Sequence, residues 1–270
     1  MVFFKYIILI MFLSYIKKSK FTLNPINHSL KNHKIFKTNK IIYIYPGGLK
    51  GLYYLGIANF IRDNYKLKNW SFLGASAGSW VSLFMAYKGD LSFFLNKIGL
   101  FSNEFLNIKD TKKIGLIMKN NILNHFTIND FDLSKVNIGI VHIKSFRMVN
   151  HIYSDFYSLE DILECCISSS HIPLVTGDLT KKYKGMYAVD GGTTGFPYTE
   201  ISVSNTSFYI HENIWISKST KKNIIKSLKS FLFDTHFLTI YKYDFKGLYE
   251  KGYDDAKQNK KYLDTFFNHS

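Results

Sequence analysis

Trp70-Ser71-Phe72-Leu73-Gly74-Ala75-Ser76-Ala77-Gly78-Ser79-Trp80 decides the fold. Its centre, Gly74 to Gly78, reads G-x-S-x-G, the pattern of a nucleophilic serine on a sharp strand-to-helix turn. Trp70 to Leu73 reads as a short buried strand. Ser79 to Tyr87, with Trp80, Val81, Leu83, Phe84 and Met85, reads as an apolar helix. Glycines flank the serine because a turn this tight leaves no room for neighbouring side chains. The helix start directs free N–H groups toward a bound reacting oxygen.

Two further segments have the same strand-to-loop character. Lys40 to Tyr45 is a β-branched and aromatic run, so a buried strand is expected. Pro46-Gly47-Gly48-Leu49-Lys50-Gly51 follows it, and then Leu52 to Ile61, with Leu52, Leu55, Gly56, Asn59 and Phe60 at helical spacing. Such a loop presents consecutive backbone N–H groups that can hold a phosphate or an oxyanion. Asp190-Gly191-Gly192 ends the strand-like Met186 to Val189. An aspartate at a strand end, in a chain with a serine elbow, is a candidate partner for that serine.

In this order, the three segments resemble the patatin-like phospholipase family, whose motifs are G-G-G-x-[K/R]-G, G-x-S-x-G and D-G-[G/A]. The likeness is nearest to its animal triacylglycerol-lipase branch and covers about residues 40 to 200. Cys166-Ile167-Ser168-Ser169-Ser170-His171-Ile172-Pro173 also looks like the family's helix-to-loop segment before the last motif. The resemblance implies a three-layer α/β fold with a mainly parallel central sheet flanked by helices. It implies a lipid acyl hydrolase acting on fatty-acyl esters of phospholipid or acylglycerol, without cofactor or metal. Ser76 would be the nucleophile and Asp190 its direct base, forming an acyl-enzyme. Gly47 and Gly48 would hold the oxyanion, and Lys50, Gly51, Gly74, Gly78, Gly191 and Gly192 would support the motifs. Two departures stand out. Pro46 replaces the first loop glycine and lacks an N–H, which leaves Gly47 and Gly48 as the donors. Thr193-Thr194-Gly195-Phe196-Pro197 lacks the asparagine that many relatives carry there.

Composition narrows the alternatives. The 46% hydrophobic and 17% aromatic content of the 270 residues excludes a disordered chain. The net charge of +15 suits an anionic lipid surface, although Arg62 and Arg147 are the only arginines and an A/T-rich coding bias toward lysine explains part of it. No zinc-finger spacing or RNA-recognition signature supports nucleic-acid binding. No Lys-Ser or Lys-Thr follows the loop at 46–51 in phosphate-loop order. Cys165 and Cys166 are adjacent, which disfavours a disulfide and suits a buried helix or a reducing compartment.

Four regions are expected: a hydrophobic segment at 1–20, a polar linker at 21–39, a catalytic domain at 40–217 and a helical extension at 218–270. Val136 to Ile143 and Arg147 to Tyr153 read as strands joined by a short turn. Ser158 reads as the cap of a helix ending near Ser169, and Lys184 to Val189 and Phe208 to Ile216 as further strands. Lys218 to Leu232 is amphipathic, as a surface helix on the core or a membrane-surface helix would be. Lys50 reads foremost as a solvated loop lysine and His171 as a structural loop residue. His211, His236 and His269 leave a Ser-His-Asp esterase open, and Pro46 leaves open a catalytically weak lipid-binding protein.

Tyr6 to Ile16 is apolar and is followed by Lys17, Lys18 and Lys20. It reads foremost as a membrane anchor or interfacial segment at a membrane or lipid-droplet surface, with an uncleaved or atypical signal and a packed helix as the alternatives. A polybasic flank adds roughly 1 kcal/mol per lysine on anionic membranes. Deleting residues 1–20 is expected to reduce co-sedimentation with anionic vesicles and to leave hydrolysis of a short soluble ester intact. Equal sedimentation of both forms counts against the anchor.

Overall fold

The computed structural model describes residues 40–106, 108, 110–145, 147–200, 206–215 and 244–268. The segments 1–20 and 21–39 and the amphipathic stretch 218–232 lie outside them. In chain order the elements are β1 (Lys40–Ile44), α1 (Gly51–Asn64), β2 (Trp70–Ala75), α2 (Ala77–Met85), α3 (Leu91–Lys97), α4 (Asn103–Leu106), α5 (Thr111–His125), β3 (Val136–Lys144), β4 (Arg147–Tyr153), α6 (Leu159–Ser169), β5 (Lys181–Tyr183), β6 (Met186–Val189), β7 (Thr206–Ile210), α7 (Phe245–Gln258) and α8 (Lys260–Phe267).

The strands form one sheet in the order β5-β6-β3-β2-β1-β7, with β4 also paired to β3. The expected parallel sheet holds for β7-β1-β2-β3. Elsewhere it gives way to antiparallel pairing, β3 with β4, β3 with β6 and β5 with β6. Two-residue turns account for β3 with β4 and for β5 with β6, because only antiparallel neighbours can be joined so briefly. One such turn is Lys184-Gly185, both at positive φ, which takes the first two residues of the strand expected from Lys184 and joins β6 to the preceding β5 as a hairpin. β7 likewise ends at Ile210, short of the expected Ile216.

β3 organises the sheet. β4 pairs with Ile138 to Lys144 along one edge, so β2, on Val136 to Gly139, and β6, on Val141 to Ile143, must share the other. β2 and β6 run toward each other, with only Ile140 between their paired stretches. Their C-terminal residues are followed by Ser76 and Asp190.

Alternation sorts the sheet's two faces. Ile42, Ile44, Trp70, Phe72, Val136, Ile138 and Ile140 face the larger core, to which the described helices contribute their buried side chains. Ile41, Tyr43, Leu73 and Ala75 face the other side, beneath Phe196 and Tyr198. Tyr54 to Ile61 of α1 are buried without a break, although the sequence suggests a single apolar face. The reason is α7, which covers the side of α1 turned from the sheet. A β-carbon on Gly56 would lie 2.0 Å from Tyr249 O, and one on Gly252 would lie 2.0 Å from Tyr53 O. Around this close crossing, Asn59 Nδ2 donates to Tyr249 Oη at 2.7 Å and Tyr53 Oη donates to Asp255 Oδ2 at 2.7 Å. α8 continues the same core through Phe267, whose ring lies 4.7 Å from that of Trp70.

Gly252→Val therefore forces a branched side chain between two helix backbones. It is expected to cost about 2 kcal/mol or more, read as a lower denaturant midpoint at unchanged m-value. A midpoint equal to the parent's would show that the two helices separate without penalty.

Candidate active site

Ser76 stands between β2 and α2 with φ 55° and ψ −128°, a backbone region that non-glycine residues rarely occupy. Such a conformation costs of order 1–3 kcal/mol and persists only when its surroundings enforce it. Here they do. The Ser76 N–H donates to Ser169 Oγ at 2.9 Å, and the Ser76 carbonyl accepts from the Ser79 amide at 3.0 Å and the Ser79 hydroxyl at 2.6 Å. The flanking glycines allow three backbones to meet. A β-carbon on Gly74 would lie 2.0 Å from Gly78 O, and one on Gly78 would lie 2.2 Å from Ile44 O.

Asp190 follows β6 and is 5% exposed, while Ser76 is 2% exposed. Ser76 Oγ donates to Asp190 Oδ2 at 2.5 Å, and the Gly192 N–H donates to Asp190 Oδ1 at 2.7 Å. Burial raises the Asp190 carboxyl from 3.8 to about 6, against the opposing pull of these two hydrogen bonds. The Asp190 amide donates to His171 O at 2.8 Å. Thr193 donates to Asp190 O twice, at 3.0 Å from its amide and 2.6 Å from its hydroxyl. Thr193 thus braces the turn that lacks the family's asparagine. Asn150 reaches it from β4, its Oδ1 accepting from Thr194 Oγ1 at 2.6 Å.

The glycine loop touches both of the other motifs. The ring of Pro46 lies where a β-carbon on Gly192 would be 2.6 Å away, and Gly51 is equally close to the Ala77 β-carbon. Gly191 lies against Gly139 O and the Ala75 β-carbon. Gly47 packs on the Tyr54 ring, and Gly48 adopts φ 52°. Among the described residues, neither the Gly47 nor the Gly48 N–H donates a hydrogen bond. Lys50, read from the sequence as solvated, is half-exposed and forms an ion pair with Glu212, just beyond β7.

The rings of His171 and His211 make no hydrogen bond to Ser76 or Asp190. His171 Nε2 lies 3.0 Å from Asp178 O in the loop, and burial lowers its pKa. His211 Nδ1 accepts from the Asn213 amide at 3.2 Å. His236 and His269 are outside the described residues. Cys165 and Cys166 are free and buried in α6, and burial holds both thiols protonated by raising their pKa values. Among the described residues there is no cluster of three or more His, Cys, Asp or Glu able to hold a metal, and no helix is long and apolar enough to cross a membrane. A cavity of about 290 Å³, lined by Arg62, Phe72 and Lys135 among others, opens near the start of β2, at the end of the strand away from Ser76.

Sequence reasoning missed Ser169, Thr193, Asn150 and Glu212. The only local hint was the run of small polar residues at 168–170, at the end of an apolar helix.

No family model matches the chain. Human patatin-like phospholipase domain-containing protein 4 is 25% identical over 159 residues, which cover 54% of this chain and 62% of that protein. The chain therefore matches less than two thirds of that relative's length. Among solved structures, VipD from Legionella pneumophila aligns with a TM-score of 0.39 and 16% identity, over 57% of this chain and 46% of VipD. In its three ordered motifs and in its likeness to this curated relative, the chain is similar to the patatin-like phospholipase family.

Proposed function

We propose that this chain is a lipid acyl hydrolase that cleaves fatty-acyl esters of phospholipid or acylglycerol with a Ser76–Asp190 dyad. The observation that carries the reading is the 2.5 Å hydrogen bond from Ser76 Oγ to Asp190 Oδ2 at the strand-to-helix elbow. A serine hydroxyl attacks an ester only when a base takes its proton. Asp190 Oδ2 accepts that proton as Ser76 Oγ bonds to the ester carbonyl carbon. The Gly47 and Gly48 amides stabilise the oxyanion, and each such donor is typically worth roughly 10²–10³ in turnover. The tetrahedral intermediate collapses, the leaving alcohol takes the proton from Asp190, and Ser76 is left acylated. Asp190 then draws a proton from the water that attacks the acyl-enzyme, and returns it to Ser76 Oγ as the bond to the acyl carbon breaks and the fatty acid leaves. The name of the human relative supports lipid as the substrate class, and the N-terminal apolar segment fits work at a membrane or lipid-droplet surface. Pro46 motivates the second reading, a lipid-binding protein with weak catalysis, since its ring removes one loop N–H.

Fluorophosphonate labelling separates the two. Stoichiometric labelling of the parent and none of Ser76→Ala is expected. Ester hydrolysis should fall by roughly 10⁴-fold or more in both Ser76→Ala and Asp190→Asn, and the double variant should be no worse, because nucleophile and base act as a unit. Near-parental turnover by Asp190→Asn would move the base elsewhere.

The carboxyl also sets two opposite pH trends. As a base it must be ionised, so kcat/KM should rise through about pH 6. For stability the sign reverses. Asp190 in the folded state keeps its proton above the unfolded value of 3.8, so folding stability declines between about pH 4 and 6 and the penalty persists above. A shift of this size corresponds to about 2–3 kcal/mol. Asp190→Asn is therefore expected to melt no lower than the parent at pH 8 while being inactive, and a clear drop in its melting temperature would contradict this.

A further inference from the structure

Ser169 touches both arms of the reacting pair. It ends α6 and is fully buried. A hydroxyl has one proton and two lone pairs, and Ser169 uses them on two different elements. Its Oγ donates to Gly139 O of β3 at 2.7 Å and accepts from the Ser76 N–H at 2.9 Å. Its carbonyl accepts from the Gly191 N–H, next to Asp190, at 2.7 Å. Its neighbour Ser170 faces elsewhere, accepting from Trp80 Nε1 at 3.1 Å and donating to Cys166 O at 2.8 Å.

We infer that Ser169 is a positioning residue for hydrolysis, fixing the Ser76 elbow with its side chain and the Asp190 turn with its main chain, and so setting the separation of Ser76 Oγ and the Asp190 carboxylate. The inference rests on the proposed dyad, but its geometry is independent of substrate. Without the Ser169 hydroxyl, the Ser76 N–H and the Gly139 carbonyl lose a buried partner together. Only one side of the pair is released, because the Ser169 carbonyl still holds Gly191. The elbow is then free to relax from its strained backbone, and Ser76 Oγ withdraws from Asp190. Misplacement by about 1 Å can cost 10²-fold in rate.

The test compares the parent, Ser169→Ala and Ser169→Cys, with Ser170→Ala as the control from the same helix end. Kinetics on a short soluble ester are measured from pH 5 to 9. The Asp190 carboxyl is titrated by carbon-13 resonance, which needs no turnover. Ser169→Ala is expected to lower kcat by roughly 10- to 100-fold with KM within about twofold. Its acid limb and its Asp190 titration should both move to higher pH, since the Ser76 hydrogen bond favours the ionised carboxyl. Ser169→Cys, similar in volume and weaker in hydrogen bonding, should fall between, and it supplies the comparison if the alanine variant does not fold. Ser170→Ala should leave the acid limb in place. An unmoved Asp190 titration in a folded Ser169 variant, or the same shift in Ser170→Ala, overturns the inference. If the parent neither hydrolyses ester nor takes the fluorophosphonate, the dyad reading fails, while the Asp190 titration still decides whether Ser169 holds the pair together.

Discussion

Two strands share one edge of β3, and the site depends on that constraint. A strand edge offers a fixed series of hydrogen-bonding groups, so β2 and β6 can occupy it together only by meeting end to end. Their meeting point leaves no room for side chains, which explains why Gly139, Gly191 and Ala75 gather there and why Tyr198 lies over Gly139. Nearby, Gly74 and Gly78 let the elbow approach the end of β1. Ser76 and Asp190 thus inherit their distance from the strand ends that carry them. The strain at Ser76 is affordable because the surrounding hydrogen bonds are backbone-directed and buried.

Burial gives the same junction its electrostatics. Among the described residues no cationic side chain pairs with Asp190, so desolvation dominates its carboxyl and only the Ser76 hydroxyl and the Gly192 amide oppose it. This arrangement differs from the ion pairs elsewhere on the molecule. Lys119 joins Glu160 and Glu164, and Lys181 also reaches Glu164, all at the partly exposed rim of α6. Those pairs hold a surface together and contribute little each. A cation beside Asp190 would lower its carboxyl pKa instead.

Much of this was legible in the sequence where local pattern and structure coincide. The β-branched run at 40–45 and the pentapeptide at 74–78 announce strand, turn and helix without help from distant residues. Ser158 caps α6 through the Asp161 amide, as its residue type suggests. Other features arise only when distant segments meet. Lys184-Gly185 reads as the start of a strand until both residues take positive φ and fold the chain back. The unbroken burial of Tyr54 to Ile61 in α1 depends on a helix almost 200 positions later. Ser169 is chemically indistinguishable from Ser168 and Ser170 in the sequence. Only the convergence of β2, β3 and the Asp190 turn singles it out, just as only the β7 end reveals Glu212 as the partner of Lys50.

The crossing of α1 and α7 carries a consequence for biosynthesis. Every motif is translated by residue 192, yet the first crossover helix remains uncovered until residues 245–267 have left the ribosome and folded back. Domains assemble as the chain is made, and apolar surface exposed in the meantime is prone to aggregation. Tyr54 to Ile61 form such a surface, beside the glycine loop. A ribosome stalled before residue 245 would hold a nascent chain with its chemical groups complete and its interior open, a natural client for chaperones.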